Sequence, residues 1–160
     1  MTIQEVVSTV LTDTLNLVAT PEQWTRRAYA RDKEDCRIED PVGTHPVDVK
    51  CYCLDGALRR VVHKDRREWL HERAAEFASP DDDPNDRYSL RRAVYMYAHS
   101  ALCQAFRTMY RNRLHAAPDH EPDMVDFHDD LWAWNDTGAR NHADVVTALK
   151  LAILRERGEY

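Results

Sequence analysis

Glycine is nearly missing from this chain, and that limits its folds more than any other feature. Four occur in 160 residues, at Gly43, Gly56, Gly138 and Gly158, where a soluble protein averages roughly 7%. The closest pair, Gly43 and Gly56, is too far apart for a G-x-G-x-x-G dinucleotide loop or a G-x-x-x-x-G-K phosphate loop. The G-x-S-x-G nucleophile elbow is absent as well. The commonest nucleotide sites and one large hydrolase class are thereby excluded.

Helical periodicity fills much of what remains. Ile3, Val6, Val7, Val10, Leu11, Leu15, Leu17 and Val18 recur at three-to-four spacing, which predicts an amphipathic helix over 3–18. Thr20-Pro21 reads as its stop and as a new start. Residues 25–50 are the least helical, with Pro41, Gly43 and Pro46 as breakers, and predict two short strands or an extended loop. From about Asp48 the pattern turns helical through Cys53, Leu54, Ala57, Leu58, Val61 and Val62, continues to Ala78, and bends near His63-Lys64-Asp65. An acidic loop follows at 79–87, with the composition of a disordered segment. Residues 88–115 form the longest helix, whose buried stripe reads Leu90, Val94, Tyr97, Ala98, Ala101, Leu102, Ala105, Met109 and Tyr110. A short helix at 123–133 and a last one, capped by Asn141 and running to about Arg157, complete the chain. The expected fold is mainly α: a single compact helical domain over 1–160, of five or six helices, with a small extended or two-stranded element near 25–50.

The formal net charge is −6, which repels nucleic acid and anionic lipid. No apolar run is long enough to cross a membrane, and the start lacks a signal-peptide pattern. Four cysteines in such a chain read as reduced thiols of a cytoplasmic protein. Charge is unevenly placed. Residues 116–139 hold seven acids and no Lys or Arg, while Arg59, Arg60, Lys64, Arg66, Arg67 and Arg73 crowd one segment. Solvated, mutually paired faces are the ordinary reading; a basic surface for a phosphate or an acidic partner is the sharper one.

Three stretches carry a resemblance: Trp24 followed by Ala28-Tyr29-Ala30-Arg31-Asp32, then Cys53-Leu54-Asp55-Gly56-Ala57-Leu58, then Trp134-Asn135-Asp136 with Arg140 and Asp144-Val145-Val146. Their order and spacing resemble a bacterial and phage family catalogued as domain of unknown function 6197. The long middle helix and the acidic loop of the 80s depart from that pattern and look like an insertion. The resemblance implies an architecture and no activity. Its phage members make interference with a host system a natural sub-hypothesis.

Cys53 stands near a helix start, where the dipole favours a thiolate. With His63, His71, His99 or His142 as base and Asn135 or Asp136 as orienter, it would make a nucleophile of the papain kind. The ordinary reading is a small buried core thiol. Metal sites are not expected: no C-x-x-C or H-x-x-x-H occurs. Clusters drawn from Cys36, Cys51, Cys53 and His45, or from His115, His120, His128, Asp129 and Asp130, have no supporting spacing. No cofactor is expected. On the long helix Tyr88, Arg91, Arg92 and Tyr95 fall away from the apolar stripe, and Tyr and Arg are the types that anchor interfaces. The leading reading is a non-enzymatic cytoplasmic binding or regulatory protein, contacting a protein partner or itself through that face. A cysteine-dependent hydrolase or transferase centred on Cys53 is the alternative, and nucleic-acid binding is disfavoured by the charge. Gly56 is the one glycine inside a helix, where it costs up to about 1 kcal/mol relative to alanine. Close approach of a backbone or an aromatic ring, such as Trp134, is the expected reason.

Overall fold

The computed structural model describes residues 2–64, 87–116, 131, 134–139 and 141–160. The first helix, α1, spans Ile3–Leu17. A reciprocal cap starts it: Thr2 Oγ1 accepts from Glu5 N–H at 3.2 Å, and the Glu5 carboxylate accepts from Thr2 N–H at 2.6 Å. Its inward stripe is Val6, Val7, Val10 and Leu11, all buried. Each such side chain contributes roughly 1.5–3 kcal/mol on leaving water. A 3₁₀ turn at Pro21–Gln23 follows, started by Thr20 with Gln23 reaching back to its N–H.

The chain then runs through three short strands: β1 (Ala30–Arg31), β2 (Arg37–Ile38) and β3 (Cys51–Tyr52). They pair antiparallel in the order β2-β1-β3, with Ala30 opposite Ile38 on one side and Tyr52 on the other. The extended element therefore has three strands and reaches beyond residue 50. Residues 51–52, expected to belong to a helix, are held extended by pairing with β1 across about twenty residues of chain. Local periodicity carries no information about such a partner. The buried Arg60 pins the loop between β2 and β3, its Nη1 donating to the carbonyls of Pro41, Val42 and Thr44 at 3.0, 2.9 and 2.7 Å.

Helix α2 (Leu54–Lys64) leaves β3 directly. Helix α3 covers Arg87–Ala116, a π turn covers Trp134–Gly138, and α4 covers His142–Glu156. Asn141 caps α4 as expected, accepting from Asp144 N–H at 3.2 Å. Gly158 closes it at φ +69°, a conformation that favours glycine. Among the described residues α1 to α4 bury one continuous apolar cluster, including Leu11, Leu58, Leu102, Phe106, Leu149 and Trp134.

The protein is mainly α, with this small antiparallel sheet packed at the head of α2. The buried stripe of α3 is Val94, Ala98, Ala101, Leu102, Ala105, Phe106 and Met109. Tyr97, expected in that stripe, is instead 54% exposed. Tyr95, expected to point away, turns inward, for a reason given below. The acidic loop at 79–87, apart from Arg87, and the expected helix at 123–133, apart from Leu131, lie outside the described residues.

Candidate functional site

The segments of the Trp24, Cys53 and Trp134 stretches come together at the first turn of α2. A helix start leaves backbone N–H groups without intrahelical partners. Here they are met by groups from far away and close by. Leu54 N–H donates to Asn135 Oδ1 at 3.1 Å. Gly56 N–H donates to Cys53 Sγ at 3.2 Å. Cys53 N–H donates to the Tyr29 carbonyl at 2.9 Å.

Asn135 is the node of this junction and is fully buried. Its Oδ1 also accepts from the Trp24 indole N–H at 2.8 Å, and its Nδ2 donates to the Thr25 carbonyl at 3.1 Å and to Asp136 Oδ1 at 3.0 Å. Both ends of the amide are satisfied, as burial demands. Asp136 Oδ1 accepts from Arg27 N–H at 2.8 Å. Arg27 sits at φ +59°, a costly conformation for a residue with a Cβ. The Arg26 guanidinium donates to the Ala139 carbonyl and covers the Trp24 ring at 4.9 Å. Beneath them Trp134 stacks flat on Phe106, centroids 3.8 Å apart.

Gly56 owes its identity to this crowding. A Cβ there would meet the Tyr29 carbonyl oxygen at 2.0 Å and its carbon at 2.7 Å. Of the two neighbours the sequence leaves open, a backbone or an aromatic ring, it is a backbone that approaches. Its source is the strand-side Tyr29 rather than Trp134, which packs on α3.

Cys53, Asn135 and Asp136 thus lie at one junction, each occupied internally. Cys53 is 2% exposed, and burial pushes its thiol up to about 12. A thiolate is the reactive form, and a thiol raised that far supplies almost none near neutrality. His142 is not beside Cys53's sulfur: its Nε2 lies 2.6 Å from the Val18 carbonyl oxygen, and its ring is 6.1 Å from that of Trp24. His99 stands on α3, its Nδ1 3.6 Å from Cys103 Sγ. His63 lies at the far end of α2, and His71 is outside the described residues. Cys36 is exposed while Cys51 is buried, and burial raises the Cys51 thiol, opposed by a hydrogen bond from Thr25. Among the described residues no group of three His, Cys, Asp or Glu gathers to hold a metal. The side chain of His115, and His120, His128, Asp129 and Asp130, lie outside them.

A second polar cluster occupies the next turns of α2, where Asp55, Arg59 and His63 repeat at i, i+4 and i+8. Asp55 is buried, and accepts from Arg59 Nε at 2.9 Å and from Tyr95 Oη at 2.5 Å. That second bond is what turns Tyr95 inward. Burial, then the Asp55 charge, holds the Tyr95 hydroxyl in its protonated form well above the usual range for tyrosine. The Arg59 guanidinium lies over both the Tyr29 and Tyr95 rings, at 5.1 and 5.5 Å. His63 is half-buried; desolvation, then the charges of Arg91 and Arg59, depress its pKa. Sequence reasoning missed Asp55, Arg59 and Tyr29 as site residues. The i, i+4, i+8 spacing was the available signal, masked by the many other charges around it.

Of the four residues expected to form a partner face, Arg92 is exposed, Arg91 is half-buried and Tyr95 is engaged with Asp55. Tyr88 lies on the first turn of α3, with its side chain outside the described residues. Met96 and Tyr97, adjacent to Arg92's turn, are 53% and 54% exposed. No helix among the described residues is long and apolar enough to cross a membrane.

The chain belongs to the family of unknown function DUF6197, whose model matches residues 2–155. No curated protein and no solved structure matches it.

Proposed function

We propose that this DUF6197 member is a non-enzymatic cytoplasmic binding protein that works through the outward face of α3. One observation carries the reading: Met96 and Tyr97, consecutive large side chains on α3, are each more than half exposed. Arg92 lies one turn before Met96 and is exposed too. Exposed aromatic, Met and Arg side chains on one short stretch of helix match the composition of an interface core. The patch fits a protein partner that sets an apolar side chain beside carboxylates, by charge complementarity with Arg92.

The test is site-specific photocrosslinking in cells. A crosslinker at position 97 is expected to trap a discrete protein adduct, and one at the exposed Lys150 on α4 is not. Arg92→Glu should remove the adduct while helical content stays unchanged. Equal background at both positions would overturn the reading.

The Cys53 hydrolase alternative is disfavoured by the thiol's burial and raised pKa. With native protein at neutral pH, a thiol reagent should modify the exposed Cys36 quickly. Cys53 should react only at the rate of opening or unfolding. Fast labelling of Cys53 would restore the enzyme reading.

A further inference from the structure

Three basic residues are placed along the seam of α2 and α3, where Asp55 and Arg59 reach Tyr95, in a chain whose formal charge is −6. Arg59 and His63 occupy successive turns of α2, and Arg91 lies one turn before Tyr95 on α3. The Tyr95–Asp55 bond ties the two helices at this point. Arg59 is held by its Nε on Asp55 and by the two tyrosine rings, yet its side chain stays 43% exposed. It is a guanidinium fixed in place before any ligand arrives. The carboxylate that fixes it is buried and already shared with Tyr95. Among the described residues, neither Arg91 nor His63 has an acidic partner. Like charges set close together repel. Arg59 and Arg91 both act on His63 in that sense.

We propose that Arg59, His63 and Arg91 form a binding site for the phosphate of a small phosphomonoester. A preoriented guanidinium matches phosphate oxygens in a forked arrangement. A monoester carries about −1.5 to −2 charges near pH 7, enough to pair with Arg91 and the open edge of Arg59 and to favour the protonated form of His63. A nucleic-acid backbone has a single charge per phosphate and would meet the repulsion of an acidic protein along its length. The site is independent of the α3 partner patch, since it depends on α2 and on Arg91 rather than on Met96 and Tyr97.

The test uses the full chain, followed by NMR of the arginine Nε–H and histidine ring signals. Titration with inorganic phosphate and with glycerol 3-phosphate, at constant ionic strength set by chloride, should give saturable shifts at Arg59, His63 and Arg91. The tighter of the two identifies the free anion or the ester as the preferred source. Arg91→Gln should weaken binding about tenfold or more, the worth of one charge-assisted hydrogen bond. Among the described residues Arg91 has no hydrogen-bond or ion-pair partner to lose, so the variant should fold normally by circular dichroism. Lys150→Gln removes the same charge on α4 and should change nothing. Shifts that are not saturable, or an Arg91→Gln protein that binds as well as the parent, would overturn the proposal. So would a single-stranded oligonucleotide that binds more tightly than both phosphates.

Discussion

The first turn of α2 and the two turns after it are built from similar polar residues and used in opposite ways. At the first turn, the amide of Asn135, the Cys53 thiol and the Tyr29 carbonyl bond to the helix start and its neighbours. The amide, the thiol and the carbonyl are each taken up by bonds within the protein. Further along, Asp55 is taken up by Arg59 and Tyr95, while the Arg59 side chain stays 43% exposed and neither His63 nor Arg91 has an acidic partner among the described residues. The stretches most conspicuous in the sequence, around Trp24, Cys53 and Trp134, belong to the first region. Conspicuous spacing here reports a structural lock, because a junction of three distant segments tolerates few residue types. A surface cluster of arginine and histidine tolerates many arrangements, and so leaves a weaker trace.

Breaking the lock should therefore cost more than any change in the second region. Gly56→Ala has the largest expected effect. Its Cβ would overlap a backbone carbonyl at 2.0 Å, and neither α2 nor β1 can move without disturbing the other. A loss of about 4 kcal/mol, in the range of severe overpacking, is expected by denaturant unfolding. A near-neutral result would show that Tyr29 and α2 are not in tight contact.

Asn135→Ala comes next. It leaves the Leu54 N–H, the Trp24 indole N–H and the Thr25 carbonyl without their partner. At about 1–3 kcal/mol for each unsatisfied buried group, with some relief by water, a loss of about 3 kcal/mol is expected. Asn135→Asp separates the amide's two roles. It keeps an acceptor for Leu54 and Trp24 and loses the donor to Thr25, while adding a buried charge beside Asp136. It should not rescue stability.

How much of this was legible in the sequence depends on whether the signal is local. The α1 stripe and the Asn141 cap follow from spacing within a few residues, and both stand where the periodicity put them. Gly56 could be singled out as a glycine that needed a close neighbour, because a helix does not otherwise choose one. That the neighbour is Tyr29 depends on how the sheet seats against α2, and no residue near Gly56 encodes it. The same limit explains the exchange of Tyr95 and Tyr97 on α3. Apolarity alone ranks them equally, and neighbouring positions allow either to turn inward. The decision is made by Asp55, forty positions away, which offers a buried acceptor to one hydroxyl and not to the other.

Tyr95→Phe tests that decision, and its effect should be smaller than those at the lock. Asp55 keeps Arg59 and loses one donor, so a cost of about 1–2 kcal/mol is expected at neutral pH. The folded pKa of Tyr95 is raised, so its stabilisation is complete below the unfolded value near 10 and is lost as pH climbs above it. The parent should thus lose more stability than Tyr95→Phe between neutral pH and pH values above 10. Parallel curves for the two proteins would mean that Tyr95 does not depend on Asp55.

The smallest expected effect belongs to His63, and it addresses the second region most directly. Its folded pKa lies below the ordinary 6.5, through desolvation first and then the charges of Arg91 and Arg59. The folded protein therefore binds fewer protons than the unfolded chain just below pH 6.5, so stability falls as pH drops through that value towards the depressed one. His63→Gln should flatten this part of the stability curve and leave it unchanged above pH 7. Phosphate supplies the sharper reading. An anion held between Arg59 and Arg91 would cancel the repulsion on His63 and favour its charged form. A histidine NMR titration should then show the His63 pKa rising when phosphate replaces chloride, and Arg91→Gln should abolish most of that rise. If the His63 titration is the same in both buffers, its neighbours are ordinary surface cations, and the contrast between the two parts of α2 reduces to one of burial alone.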